Sequence, residues 1–225
     1  MIGIICAMDD ELSLLLEKLT DKEEKKILNY KFYKGKFLNN EVVLLRCGVG
    51  KVQSAVGAAI MIENFKPSFI INSGIAGGIN GLKQYDVVLG KNFKYSDVDA
   101  SGFGYKLGQV PGMPEEYHTD LELVNKVSDI LNNLNVKHVI GNVLSADSFI
   151  INEKQLLVKY EGLTAVEMEG CSIAQVCYMT GTKFVSIRII SDVVGGSDQS
   201  EAYQVFEKKA SNLSANICYN VCKTL

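Results

Sequence analysis

With 225 residues, 47% of them hydrophobic and 22% charged, the chain is long enough to bury a substantial core and has the composition of an ordinary globular domain. A net charge of −3 with no basic stripe argues against a nucleic-acid partner, and no apolar run is long enough to span a membrane. Two histidines and six cysteines without a C-x-x-C pair leave a zinc site short of ligands, so no metal or cofactor is expected, and the cysteines read as reduced core thiols of a cytoplasmic protein.

The apolar run from Ile2 to Ala7 is a first buried strand and not a signal peptide, because no basic segment precedes it. Asp9, Asp10 and Glu11 follow at once, and then Leu12, Leu15, Leu16 and Leu19 recur at helical spacing. Lys22 to Lys26 reads as a solvated helix end. Val42 to Cys47 is a second strand. The Gly48-Val49-Gly50-Lys51 that follows is not a phosphate-binding loop, since no Ser or Thr comes after Lys51. Val52, Ala55, Val56, Ala59 and Ile60 predict a helix with one apolar face.

Phe69 to Asn72 is a third strand. Asn72-Ser73-Gly74-Ile75-Ala76-Gly77-Gly78 has the wrong glycine spacing for a dinucleotide fingerprint. It is either a tight strand-to-loop turn or bare backbone that a flat ligand can approach closely. After a strand from Val87 to Gly90, the stretch from Tyr95 to Tyr117 is the one loop long enough to suggest a function or an interface. Leu121, Val124, Val127, Ser128 and Leu131 mark another helix. Strands follow at Val139 to Ser145, Thr164 to Val166 and Phe184 to Ile190. A helix from about Glu169 to Met179 ends at Gly181, and a last one runs from about Tyr203 to Val221. The alternation of strand and helix predicts one layered α/β domain over residues 1–225 with a mixed, largely parallel sheet.

Glu11, Glu169 and Asp192 each fall just after a strand, where open α/β sheets bind ligands. Together they make an acid, a base and a hydroxyl-binding group on one rim. Singly, each is equally a helix N-cap or a first-turn acid answering the helix dipole.

Gly3-Ile4-Ile5-Cys6-Ala7-Met8-Asp9-Asp10-Glu11 resembles the opening of the 5'-methylthioadenosine/S-adenosylhomocysteine nucleosidases. So do Gly48-Val49-Gly50-Lys51, Asn72 to Gly78, Phe103-Gly104-Tyr105 and Gly108-Gln109-Val110-Pro111-Gly112 in their order along the chain. The likeness continues through Ser145-Ala146-Asp147-Ser148-Phe149-Ile150, Ala165-Val166-Glu167-Met168-Glu169 and Arg188-Ile189-Ile190-Ser191-Asp192-Val193. It implies a nucleoside phosphorylase-like three-layer sandwich with helices on both sides of the sheet.

The resemblance also implies roles. Glu11 activates the attacking water. Glu169 binds the ribose hydroxyls, with Met168 packed on the sugar and Arg188 nearby. Asp192, steadied by Ser191, protonates adenine N7, while Phe149 stacks on the purine and the Ile150 backbone pairs with its edge. Val49, Phe103, Pro111 and Tyr203 line the pocket for the 5'-substituent, and Met8, Ile75, Ala76, Gly77 and Glu167 complete the substrate-binding set. The implied substrates are 5'-methylthioadenosine, S-adenosylhomocysteine and 5'-deoxyadenosine.

The chain departs from the family where Ile75 replaces a frequent Ser, Ser96 a common His and Tyr203 an expected Phe. The rival readings are a phosphate-dependent purine nucleoside phosphorylase, for which the first loop lacks an arginine, and a non-catalytic nucleoside-binding protein. A homodimer is expected, because Phe103, Tyr105, Leu107, Val110, Pro111 and Met113 would leave an apolar patch on a monomer.

Overall fold

The computed structural model describes residues 1–196 and 199–225. In chain order the elements are β1 (Ile2–Cys6), α1 (Asp9–Lys18), β2 (Thr20–Ile27), β3 (Tyr30–Phe37), β4 (Asn40–Arg46), α2 (Lys51–Phe65), β5 (Phe69–Gly78) and β6 (Val87–Tyr95). They continue with β7 (Tyr117–His118), α3 (Leu121–Asn133), β8 (His138–Ser145), β9 (Leu163–Glu167), α4 (Gly170–Thr180), β10 (Lys183–Val193) and α5 (Gln199–Cys222).

The strands form one mixed sheet in the order β10-β6-β8-β9-β5-β1-β4-β3-β2, with β7 paired to β6. β10 also pairs with β5 along its length, so that β5, β10, β6, β8 and β9 close into a barrel and β1-β4-β3-β2 extends from it. Alternating side chains feed two cores. Ile4, Val42, Leu44, Val185, Ile187 and Ile189 face α1, α3 and α5. Ile5, Val43, Leu45, Phe184 and Ile190 share the opposite core with Ala58 and Met61 of α2 and Ile173 and Ala174 of α4. The result is a three-layer arrangement of helix, sheet and helix.

At four places the structure settles or changes the sequence reading. Lys22 to Lys26 is not a helix end but the middle of β2, an outermost strand whose first seven residues are exposed, so no apolar alternation marks it. Asn72 to Gly78 is not a turn, because β5 continues to Gly78. The apolar stripe of α2 points outward: Val52 and Val56 are 74% and 40% exposed, and the small residues Ser54, Gly57 and Ala58 face inward. α5 begins a turn earlier than predicted, at Gln199.

β5 changes neighbours along one edge. It pairs with β1 over residues 69–72 and with β9 only at Gly77 and Gly78. Among the described residues, no strand pairs with residues 73–76 on that side. The backbone groups freed there must find other partners, and the side chains that supply them belong to the cleft.

Candidate active site

A cleft of about 560 Å³, within the usual range for small-molecule sites, opens at the carboxyl ends of β1, β8, β9 and β10 beside this gap. Glu11, at the third position of α1, is 2% exposed. Its carboxylate Oε2 accepts from the backbone N–H of Ala7 at 2.8 Å and of Met8 at 3.1 Å. Oε1 accepts from Ile75 N–H at 3.0 Å, which satisfies one of the freed groups of β5. Only glycine fits at position 74, because a Cβ there would lie 2.6 Å from both Glu11 Oε1 and Arg188 Nη1. Burial raises the Glu11 pKa against the pull of Arg188 and of these three amides. The group is thus held as an oriented acceptor whose basicity exceeds that of a free carboxylate.

Beneath the cleft, Arg188 is fully buried in β10. Its Nη2 donates to Glu167 Oε2 at 2.5 Å and to the side-chain oxygen of Asn72, and Nη1 donates to the Ile75 carbonyl at 3.4 Å. Glu167 also accepts from Ser145 Oγ and, at 3.0 and 2.6 Å, from the backbone N–H groups of Glu169 and Gly170 at the start of α4. Its charge is thus committed to the guanidinium and to a helix N-terminus.

Glu169, the N-cap of α4, keeps more freedom. Its Oε1 accepts from Gly50 N–H at 2.9 Å. Burial and the adjacent Glu167 push its pKa up to about 8 against the pull of Arg188. A carboxyl that carries a proton near neutrality can both give and accept a hydrogen bond, as a sugar hydroxyl requires.

Asp192 lies inside β10 and not after it, next to a register shift between Ile190 and Asp192 that places a bulge at Ser191. Such a bulge re-aims the following side chain. Ser191 Oγ donates to Asp192 Oδ1 at 2.6 Å. The amide Nε2 of Gln199, the first residue of α5, donates both to Asp192 Oδ2 at 2.7 Å and to the Ile150 carbonyl at 2.8 Å. One NH₂ group therefore bridges the two acceptors. Burial raises the Asp192 pKa, and the bonds from Ser191 and Gln199 oppose the rise.

At the mouth, Phe149 is 42% exposed and meets Tyr203 edge to face at 5.2 Å. The Tyr203 hydroxyl reaches the Met8 sulfur at 3.5 Å.

Of the residues predicted from sequence, Met8, Glu11, Val49, Ile75, Ala76, Gly77, Phe149, Ile150, Glu167, Met168, Glu169, Ser191, Asp192 and Tyr203 line this one cleft. Arg188 does not line it but sits below, positioning Glu167. Phe103, 87% exposed, and the exposed Pro111 lie outside it on the long loop. Ala7, Ser148 and Val166 line it without having been predicted; each adjoins a residue that was. Gln199 was missed because its partners are 7 and 49 positions away and no local pattern marks it. Among the described residues, no three His, Cys, Asp or Glu side chains converge as a metal-binding group.

The family model of the phosphorylase superfamily matches residues 1–224. A 5'-methylthioadenosine/S-adenosylhomocysteine nucleosidase of Exiguobacterium sp. is 42% identical, the alignment covering 100% of this chain and 98% of that protein. The crystal structure of the S-adenosylhomocysteine nucleosidase of Streptococcus pyogenes in complex with 5-methylthiotubericidin is similar with a TM-score of 0.94 at 37% identity, covering 100% of this chain and 96% of that one. The 5'-methylthioadenosine/S-adenosylhomocysteine nucleosidase of Colwellia psychrerythraea in complex with adenine matches at a TM-score of 0.94 and 34% identity, covering 100% and 95% of the two chains.

Proposed function

For a chain that belongs to the phosphorylase superfamily, and within it to the 5'-methylthioadenosine/S-adenosylhomocysteine nucleosidases, we propose that the cleft hydrolyses the N-glycosidic bond of 5'-thio-substituted adenosines and releases adenine and the 5'-substituted ribose. The observation that carries the hydrolytic reading is the charge of the lining. Glu11, Glu167, Glu169 and Asp192 line the cleft, and among the described residues no arginine, lysine or histidine does. Phosphate needs cationic clamps, and the guanidinium nearest the cleft, that of Arg188, is already committed to Glu167 and Asn72. The acidic groups suit water attack on a sugar that becomes cationic as the bond breaks.

The bridging of Asp192 Oδ2 and the Ile150 carbonyl by a single amide favours adenine as the leaving group. Adenine presents a 6-amino group beside N7, so an amino group in the place of the Gln199 amide brings N7 against Asp192. Proton donation to N7 neutralises the leaving purine. On the other side of the bond, Glu11 takes a proton from water, and Glu169, with Met168 against the sugar, holds the ribose hydroxyls. Val49, Met8 and Tyr203 receive the 5'-substituent.

In phosphate-free buffer the purified protein is expected to convert 5'-methylthioadenosine into adenine and free methylthioribose, measured by chromatography. Strict dependence on phosphate with a sugar 1-phosphate as product would overturn this reading.

The working unit in this proposal is a cytoplasmic homodimer. The outward stripe of α2, with Val52 and Val56, adjoins α4, where Tyr178 and Met179 are 60% and 62% exposed. With Phe103 and Leu107 on the long loop they leave apolar surface that a second copy would bury. Phe103 and Pro111, outside their own cleft, then complete the partner's 5' pocket. Phe103→Asp is expected to shift the protein toward monomer in analytical ultracentrifugation and to lower turnover. Mixing it with a Glu11→Gln chain should restore activity, because one shared pocket collects both lesions and the other neither. No recovery, with mixed dimers shown by mass spectrometry, would refute the sharing. The reducing cytoplasm fits the six cysteines, all free and buried.

A further inference from the structure

The Gly-Lys pair that does not form a phosphate loop has a different use. Gly50, the N-cap of α2, has a φ of 100° and no side chain to satisfy the first amides of the helix. Carboxylates from distant loops take them instead. Gly50 N–H donates to Glu169 Oε1 at 2.9 Å, and Lys51 N–H donates to Asp147 Oδ1 at 2.8 Å.

The Lys51 side chain then turns back over the same point. Its Nζ lies 2.8 Å from both oxygens of Asp97 and 3.6 Å from Asp147 Oδ2, and it stands 5.2 Å from the centre of the Tyr95 ring. Asp97 Oδ2 also accepts from Asp147 N–H at 2.9 Å, closing the cluster. Lys51 opens α2, and Asp97 and Asp147 come from the β6–β7 and β8–β9 connections. Asp147 is two residues before Phe149 and three before Ile150, and Val49 is two before Lys51. The cluster therefore stands directly behind the purine loop and the sugar carboxylate.

We propose that Lys51, through Asp147 and Asp97, is the positioning residue of the purine subsite. It fixes the loop that carries Phe149 and Ile150 against the N-terminus of α2, where Glu169 is also anchored. It does not touch the reacting atoms. Removing its charge leaves Asp97 and Asp147 facing each other as like charges, so the loop moves away from α2 and the stacking and edge contacts to adenine loosen. The chemistry of Asp192 and Glu11 is unaffected once substrate is bound. This rests on the adenine reading of the cleft.

The test compares wild type, Lys51→Met and Lys51→Arg by adenine calorimetry, steady-state kinetics on 5'-methylthioadenosine and thermal melting. Lys51→Met is expected to weaken adenine binding and raise KM by about three- to fivefold, with saturated kcat close to that of wild type. Lys51→Arg, which keeps the charge and a two-pronged donor set, is expected to recover most of the loss. An unchanged adenine affinity and KM in Lys51→Met would overturn the proposal. So would a lowered kcat and melting temperature at constant KM, the mark of a purely structural role. Wild-type protein that binds adenine without hydrolysing the nucleoside would sink the functional reading alone, because the adenine comparison still decides the role of Lys51. Failure of the wild type to bind adenine would sink both.

Discussion

Asp192→Asn is expected to lower kcat by about 10²–10⁴-fold, the usual value of positioned acid–base help, while leaving the fold and adenine binding in place. Asparagine has the shape of aspartate and its one oxygen can still accept from Ser191 Oγ, while its NH₂ faces the Gln199 NH₂, so the Gln199 amide must turn or give up that bond and the backbone of β10 keeps its place. What asparagine cannot do is hand a proton to the leaving purine. The direction of the pKa adds a second signature. Burial raises the Asp192 carboxyl above its ordinary range, and the protonated form is the active one. Wild-type turnover should therefore fall as pH rises through that raised value, and the variant should lose this alkaline limb. Near-wild-type turnover in Asp192→Asn would remove Asp192 from the mechanism.

Glu11→Gln is expected to cost about as much turnover, about 10²–10⁴-fold, but with a different companion effect. The carboxylate accepts from three backbone amides at once, those of Ala7, Met8 and Ile75. A glutamine offers one oxygen and one NH₂, so at least one buried N–H faces another donor. An unmade buried hydrogen bond costs about 1–3 kcal/mol. The variant should melt at a lower temperature and still bind adenine, whose proposed edge contacts lie at Asp192 and Ile150. In the wild type the unprotonated carboxylate is the active form, and burial raises its pKa, so activity should fall as pH drops through that value. If Glu11→Gln melts lower but turns over normally, the carboxylate is structural and the base lies elsewhere.

How much of this was legible in the sequence depended on whether burial left a pattern. β1, β4 and β10 are covered on both faces and read as continuous apolar runs. β2 has solvent on both faces and carries no such signal. The stripe Val52, Ala55, Val56, Ala59 predicted the helix, and the structure turns most of that stripe outward. The inward side of α2 carries the small residues Ser54, Gly57 and Ala58, which allow close approach, with Met61 as its one large buried side chain among the described residues.

The position of Glu11, Glu169 and Asp192 at the ends of apolar runs marked a rim of carboxylates, and the rest of the cleft was legible through the resemblance to the nucleosidases. The partners that orient these side chains were not, since Glu11 is tied to Ile75 across 64 positions, Arg188 to Asn72 across 116 and Gly50 to Glu169 across 119. The resemblance placed Arg188 near the sugar, but nothing local named Glu167 and Asn72 as its partners.

The same uninformative strand has a consequence for solubility. One end of the sheet is closed by the pairing of β10 with β5, and the other ends at β2. An open edge invites strand-by-strand addition of further chains. Along β2 the charges run Asp21, Lys22, Glu23, Glu24, Lys25 and Lys26, and Asp21 and Glu24 are already paired with Lys36 at 2.9 Å and Lys31 at 3.4 Å on β3. An incoming strand would have to strip water from charges on both faces of the ribbon at once. The segment whose composition hid its structure thus guards the sheet against edge-to-edge polymerisation.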